Sequence, residues 1–82
     1  MKLSGLDPRR DGVVREIQGN GAVRQRLMDM GFLPSTPVRM ERVAPTGEPV
    51  WVRICGGQVA LRRSEADAVV LDDLSGNEEA GR

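Results

Sequence analysis

The sequence has no histidine, no tyrosine and a single cysteine. Without imidazole, the commonest general base and the commonest transition-metal ligand are both missing, so no Ser-His-Asp or Cys-His mechanism can be assembled. Cys55 stands alone, which excludes an intrachain disulfide and any Cys-x-x-Cys zinc or redox arrangement. A preformed zinc site would be left with carboxylates and one thiolate. Phe32 and Trp51 are the whole aromatic complement, too few for a platform on which several bases stack. No apolar run approaches the roughly 20 residues of a membrane span. Residues 1–10 hold a single Lys and no apolar block ahead of Asp7 and Pro8. Neither a signal peptide nor a lipidation motif is therefore expected, and the location expected by default is cytoplasmic.

What is present describes one small folded domain. A chain of 82 residues buries only about 60 to 65% of its unfolded surface, which leaves little core from which to carve a water-excluding pocket. Catalysis is not expected. Apolar residues make up 39% and charged residues 29%, a balance typical of soluble globular chains rather than disordered ones. The net charge of zero hides an asymmetry: residues 1–71 carry 11 basic and 8 acidic side chains, and residues 72–82 carry 1 and 4. Eleven of the twelve basic residues are Arg, the side chain suited to bidentate contact with carboxylate or phosphate. The excess on the body is nonetheless too small and too dispersed to announce nucleic acid.

Hydrophobic period orders the elements. Val13 to Ile17 is a β-branched run between the turn-like Asp7 to Gly12 and the Gly19-Asn20-Gly21 loop, and reads as a first strand. Val13 and Ile17 share parity while Val14 does not, so an edge position or a bulge is expected. From Ala22 to Met30 the period changes. Val23, Leu27 and Met30 form one helical stripe, Asn20 or Gly21 is placed to start the helix, Gly31 to cap its end, and Phe32 to fold back on its last turn. Arg24 and Met28 fall on a face away from the stripe. Val38 to Val43 is the next strand, with Val38 and Met40 inward. Ala44 to Pro49 then forms a long hairpin loop, because its two prolines lack the donor a ladder needs. Val50, Val52 and Ile54 alternate with Trp51, Arg53 and Cys55, and Val59 and Leu61 follow. The two strands are expected to join through a primed turn at Gly56-Gly57. Ser64 to Asp67 matches a capping pattern for one helical turn, and Val69 to Leu71 makes a last strand.

These elements predict a mainly β fold: a small SH3-like barrel of about five antiparallel strands, with one helix between the first two strands and a short helical turn before the last. Residues 1–72 form the domain. Residues 73–82, acidic with only Leu74 and Ala80 apolar, are expected to be a flexible tail. Such barrels do not by themselves imply a function.

Three spaced motifs narrow the reading. Arg26-Leu27-Met28-Asp29-Met30-Gly31-Phe32 followed by Pro34, Ala44-Pro45-Thr46-Gly47-Glu48-Pro49-Val50, and Ala60-Leu61-Arg62-Arg63 through Ala66 together resemble the FeoA family. Its members are small cytoplasmic proteins of bacterial ferrous iron uptake, similar in turn to the SH3-like C-terminal domain of iron-dependent repressors. The match spans roughly residues 3–71. Ser35 stands after Pro34 where the family typically carries glycine. The resemblance implies a non-enzymatic adaptor that binds the cytoplasmic part of the FeoB ferrous iron transporter, and reaches the membrane only through that partner.

The expected partner surface is Arg24, Leu27, Met28 and Met30 of the helix, Pro45, Gly47 and Pro49 of the loop, and Arg62. Leu27 and Met30 have the spacing of core residues that anchor the helix. Arg24 and Met28 combine a carboxylate-pairing group with an adaptable thioether, and Arg62 with Arg63 is suited to an acidic partner. No catalytic residue, cofactor, resident metal ligand or nucleic-acid partner is expected. Carboxylate and amide oxygens would hold Fe(II) or another divalent metal only weakly. Two alternatives stand beside the adaptor: a stand-alone metal-responsive module related to the repressor domains, and a small RNA-binding barrel, which the charge and aromatic content disfavour.

Overall fold

A computed structural model describes residues 1–72; the expected tail, 73–82, lies outside the described residues. Strands β1 (Asp11–Ile17), β2 (Pro37–Val43), β3 (Val50–Ile54), β4 (Gly57–Leu61) and β5 (Val69–Leu71) form one antiparallel sheet in the order β4-β3-β2-β1-β5. Helix α1 (Gly21–Asp29) lies between β1 and β2, and α2 (Arg63–Asp67) between β4 and β5. The expected mainly β, SH3-like architecture is what the chain adopts.

β1 is where the sheet turns its corner. Asp11, Gly12 and Val13 pair with β2, whereas Val14, Glu16 and Ile17 pair with β5, and the register slips between Val14 and Glu16. This bulge resolves the broken parity of the sequence, since it lets Val14 be buried and Ile17 pack on the core from the same strand. The bulge is present, but β1 is an interior strand rather than an edge. Alternation on the other strands follows the sequence. Val38, Met40, Val50, Val52, Ile54 and Leu61 all point inward and are buried, while Trp51 faces out beneath the Arg42 guanidinium, 4.2 Å from its ring centroid.

Three local details differ from the sequence reading. The β3–β4 hairpin turns at Cys55-Gly56, not Gly56-Gly57: both turn residues have positive φ (52° and 80°), and Gly57 already pairs with Ile54. Two left-handed residues in succession define the primed turn that matches strand twist, and register places Cys55 in the first of them. The N-cap of α2 is Arg62, not Ser64; its amide donates to the Glu65 carboxylate at 2.8 Å, so the reaching-back acid of a capping box is Glu65 rather than Asp67, two residues off the expected frame. Finally, a 3-10 helical turn at Leu3–Gly5 escaped the sequence reading. It buries Leu3 and Leu6 against the sheet, and Ser4 Oγ donates to Asp67 of α2.

Candidate docking surface

α1 is held to the barrel by its C-terminal end. Leu27 and Phe32 are completely buried, and Met30 packs on the core as a partly buried neighbour; each such fully buried side chain is worth about 1.5 to 3 kcal/mol. The helix stops in a Schellman motif. The Phe32 amide donates to Leu27 O at 3.1 Å and the Gly31 amide to Met28 O at 3.0 Å, with Gly31 at φ 108°. This geometry folds Phe32 back under the last turn, as the sequence implies. The first turn is freer. Asn20 occupies the N-cap position without a side-chain cap hydrogen bond, and Val23, expected in the core stripe, is 39% exposed. The stripe is therefore buried only over its C-terminal half.

A polar chain joins α1 to the β2–β3 loop by way of α2. Arg26 Nη1 of α1 lies 3.2 Å from Glu65 Oε2, and the Glu65 carboxylate also takes the Arg62 amide. One residue on, the Arg63 amide donates to Glu48 Oε1 of the loop at 2.7 Å. The loop is itself tied: Ala44 N to Pro49 O at 3.1 Å, Gly47 N to Ala44 O at 2.8 Å, and Thr46 Oγ1 to Glu48 O at 3.0 Å. Gly47 has φ 96°, and a Cβ there would meet the Arg63 guanidinium at 3.4 Å. That distance is ordinary contact, so it is the turn that calls for glycine here.

The residues expected from the sequence fall into two layers. Arg24 and Arg62 are exposed, as is Pro45; Met28, Gly47 and Pro49 are half-buried. Among the described residues Arg24 makes no side-chain hydrogen bond or ion pair. Leu27 is beneath the surface, and its part is to hold α1 down. The Glu48–Arg63 hydrogen bond sets the loop beside the start of α2, where Arg62 is the N-cap, and the Arg26–Glu65 pair ties α1, which carries Arg24 and Met28, to the same α2. Sequence reasoning missed Arg26, Glu48 and Glu65, the residues that make this connection. The available signal was the Arg62-x-x-Glu65 spacing, hidden by the more conventional Ser64.

Most acidic side chains among the described residues are committed to such structural contacts. Asp11 pairs with Arg39, Glu41 with Arg53, and Asp29 accepts from Gln25. Among the described residues no three of the Cys, Asp and Glu side chains converge as a metal-holding group. No described helix is long and apolar enough to cross a membrane.

Comparison with known proteins settles the relationship. The FeoA domain profile matches residues 1–73. The chain belongs to the FeoA family. A FeoA of Stenotrophomonas maltophilia, solved in complex with zinc and described as an SH3 domain protein, superposes with a TM-score of 0.82 at 39% identity over 92% of this chain and 93% of that one. The FeoA/FeoB ferrous iron transport fusion protein of Porphyromonas gingivalis is 32% identical over 77 residues, 94% of this chain. The chain spans only 9% of that relative's length. A manganese-dependent transcriptional repressor shares the fold alone, with a TM-score of 0.79 at 18% identity over 85% of this chain and 35% of that one.

Proposed function

We propose that this FeoA-family protein is a non-enzymatic adaptor of ferrous iron uptake that docks on the cytoplasmic part of a FeoB-type transporter. The observation that carries the reading is the fused relative, in which a FeoA segment and FeoB share one polypeptide. Fusion holds two modules at an effective concentration that reaches the millimolar range for short linkers, and so maintains even a weak contact between them. A separate FeoA must supply the corresponding affinity through its own surface. The rim of α1, the start of α2 and the 44–49 loop supports such a role physically. Its backbone is fixed by the Leu27–Phe32 cap and the Arg26–Glu65 and Glu48–Arg63 links, so little ordering entropy is lost on contact. It presents Arg24, Met28 and Arg62 on that fixed frame, cations for carboxylates beside a polarizable thioether.

The test is capture. The protein immobilised through an engineered tag is offered detergent-solubilised membranes of its own host, and FeoB is expected among the retained proteins. Retention of FeoB equal to that on an unrelated SH3-like barrel contradicts the reading. GTP hydrolysis that copurifies with the isolated protein through gel filtration would contradict its non-enzymatic character.

A further inference from the structure

A groove of about 790 Å³ opens where the Asp7–Gly12 segment, the start of β2, the end of β3 and Leu71-Asp72 meet. Its floor includes the inward side chains Leu6, Val38, Ile54 and Leu71, and its walls carry Arg9, Arg10, Arg39 and Arg53 against Asp11 and Asp72. None of the eight residues of the docking rim lines it. We propose that this groove is a second docking site, for an extended acidic segment of a partner protein that places an apolar side chain between its carboxylates.

Charge is the first argument. Arg39 and Arg53 are directly opposed across β2 and β3, an arrangement of like charges that costs stability. Each is offset by its own carboxylate, Asp11 at 3.1 Å and Glu41 at 2.5 Å. Arg9 and Arg10 have no such offset: among the described residues neither side chain has a hydrogen-bonding or ionic partner. The groove therefore holds two uncommitted guanidinium groups beside two that are already paired, and an entering carboxylate gains a bidentate contact without breaking one.

Backbone geometry is the second. Arg9 has φ 67°, a left-handed conformation disfavoured for a long side chain. It is held there from both sides, the Arg9 amide donating to Met40 O at 2.6 Å and the Met40 amide to Arg10 O at 3.0 Å. The tandem arginines are thus fixed to β2 at the groove wall. Strain retained in this way is typical of segments that present side chains for recognition.

The proposal is tested on the full chain with a fluorescein-labelled peptide of about eight residues, glutamates flanking a central leucine, and with its glutamine counterpart. Anisotropy should show saturable binding of the acidic peptide and none of the neutral one, with amide shifts at Arg10, Val13, Val38 and Ile54. The double variant Arg9→Glu/Arg10→Glu should weaken binding by about tenfold or more, while Arg15→Glu, exposed on β1 and outside the groove, should change it by less than about twofold. Absence of saturable binding, equal losses in both variants, equal binding of the neutral peptide, or shifts confined to α1 would each overturn the proposal. So would binding that appears only after Asp73, Glu78 and Glu79 are neutralised in the full chain, which assigns the groove to the protein's own acidic segment. The peptide arm needs no variant to fold. Because Arg9, Arg10 and Arg15 all lie outside the docking rim, failure here leaves the FeoB reading standing, and the converse holds.

Discussion

Replacing Gly31 by alanine tests how the docking helix is held. Two separable costs meet at this position. The residue sits at φ 108°, outside the ordinary range of a side chain with a Cβ, for which a left-handed conformation costs about 1 to 2 kcal/mol. A Cβ there would also lie 2.9 Å from Cys55 Sγ in the β3–β4 turn, closer than real contacts allow, and overpacking of this kind costs about 1 to 3 kcal/mol. The sulfur is exposed and has room to swing away, so the lower end applies and the sum is about 2 to 3 kcal/mol. For a domain this small each kcal/mol lowers Tm by about 4 to 8 °C, giving an expected fall of about 8 to 24 °C in a thermal melt. The Cys55→Ala background separates the two costs: there Gly31→Ala should cost about 1 kcal/mol less, while the backbone share persists. A neutral Gly31→Ala would refute the cap geometry. An unchanged cost in the Cys55→Ala background would refute the contact between the α1 terminus and the hairpin.

Other perturbations probe the neighbouring elements by thermal or urea unfolding. Glu65→Ala removes the acceptor of the Arg62 amide and should cost about 1 to 3 kcal/mol. Glu65→Gln keeps an acceptor and loses only the pair with Arg26, whose side chain is 64% exposed, so it should cost less than about 1 kcal/mol; equal losses would show that the ion pair dominates. Ser35 has φ 73°, and Ser35→Gly should raise stability by about 1 kcal/mol, a destabilised variant being the contrary result. Leu27→Ala should cost about 2 to 5 kcal/mol against less than about 1 for Val23→Ala, and similar values would mean that the stripe is buried throughout. Treatment with a chelator should leave Tm unchanged; a fall of many degrees would reveal a structural metal.

Strand and helix order was legible because burial on one face imposes a period, and β2, β3 and α1 obey it with few interruptions. Legibility failed where a third dimension decides. The parity break at Val13-Val14 announced a bulge, but only pairing with both β2 and β5 shows that β1 turns the corner there. Gly56-Gly57 looks like the hairpin turn by composition. Inward placement of Val52 and Ile54 against Val59 and Leu61 sets a register that makes Cys55 a turn residue instead. Ser64 is the better cap by residue type, yet the strand runs to Leu61 and the backbone enters α2 at Arg62. Ser35 was readable in another way: it stands at a position associated with glycine, and the structure gives it a glycine-like φ. Within the candidate surface the outward residues Arg24 and Arg62 were visible as exposed helix and strand-end positions. The Arg26–Glu65 and Glu48–Arg63 links were not, because nothing in linear order places residues 15 or more apart in contact. The arginine groove was invisible for the same reason, its walls coming from four separate segments.

The most direct test of the adaptor account is the affinity of purified FeoB in nanodiscs for the wild-type protein and for Arg24→Glu and Met28→Gln. Both positions lie on α1 away from Leu27, and amide spectra establish that each variant keeps the fold. The account predicts saturable wild-type binding that Arg24→Glu weakens by about tenfold and Met28→Gln by a smaller factor, with folding intact. Wild-type affinity in both variants would contradict the assignment of α1 as the docking surface, and absence of saturable binding by the wild-type protein would contradict the adaptor account itself.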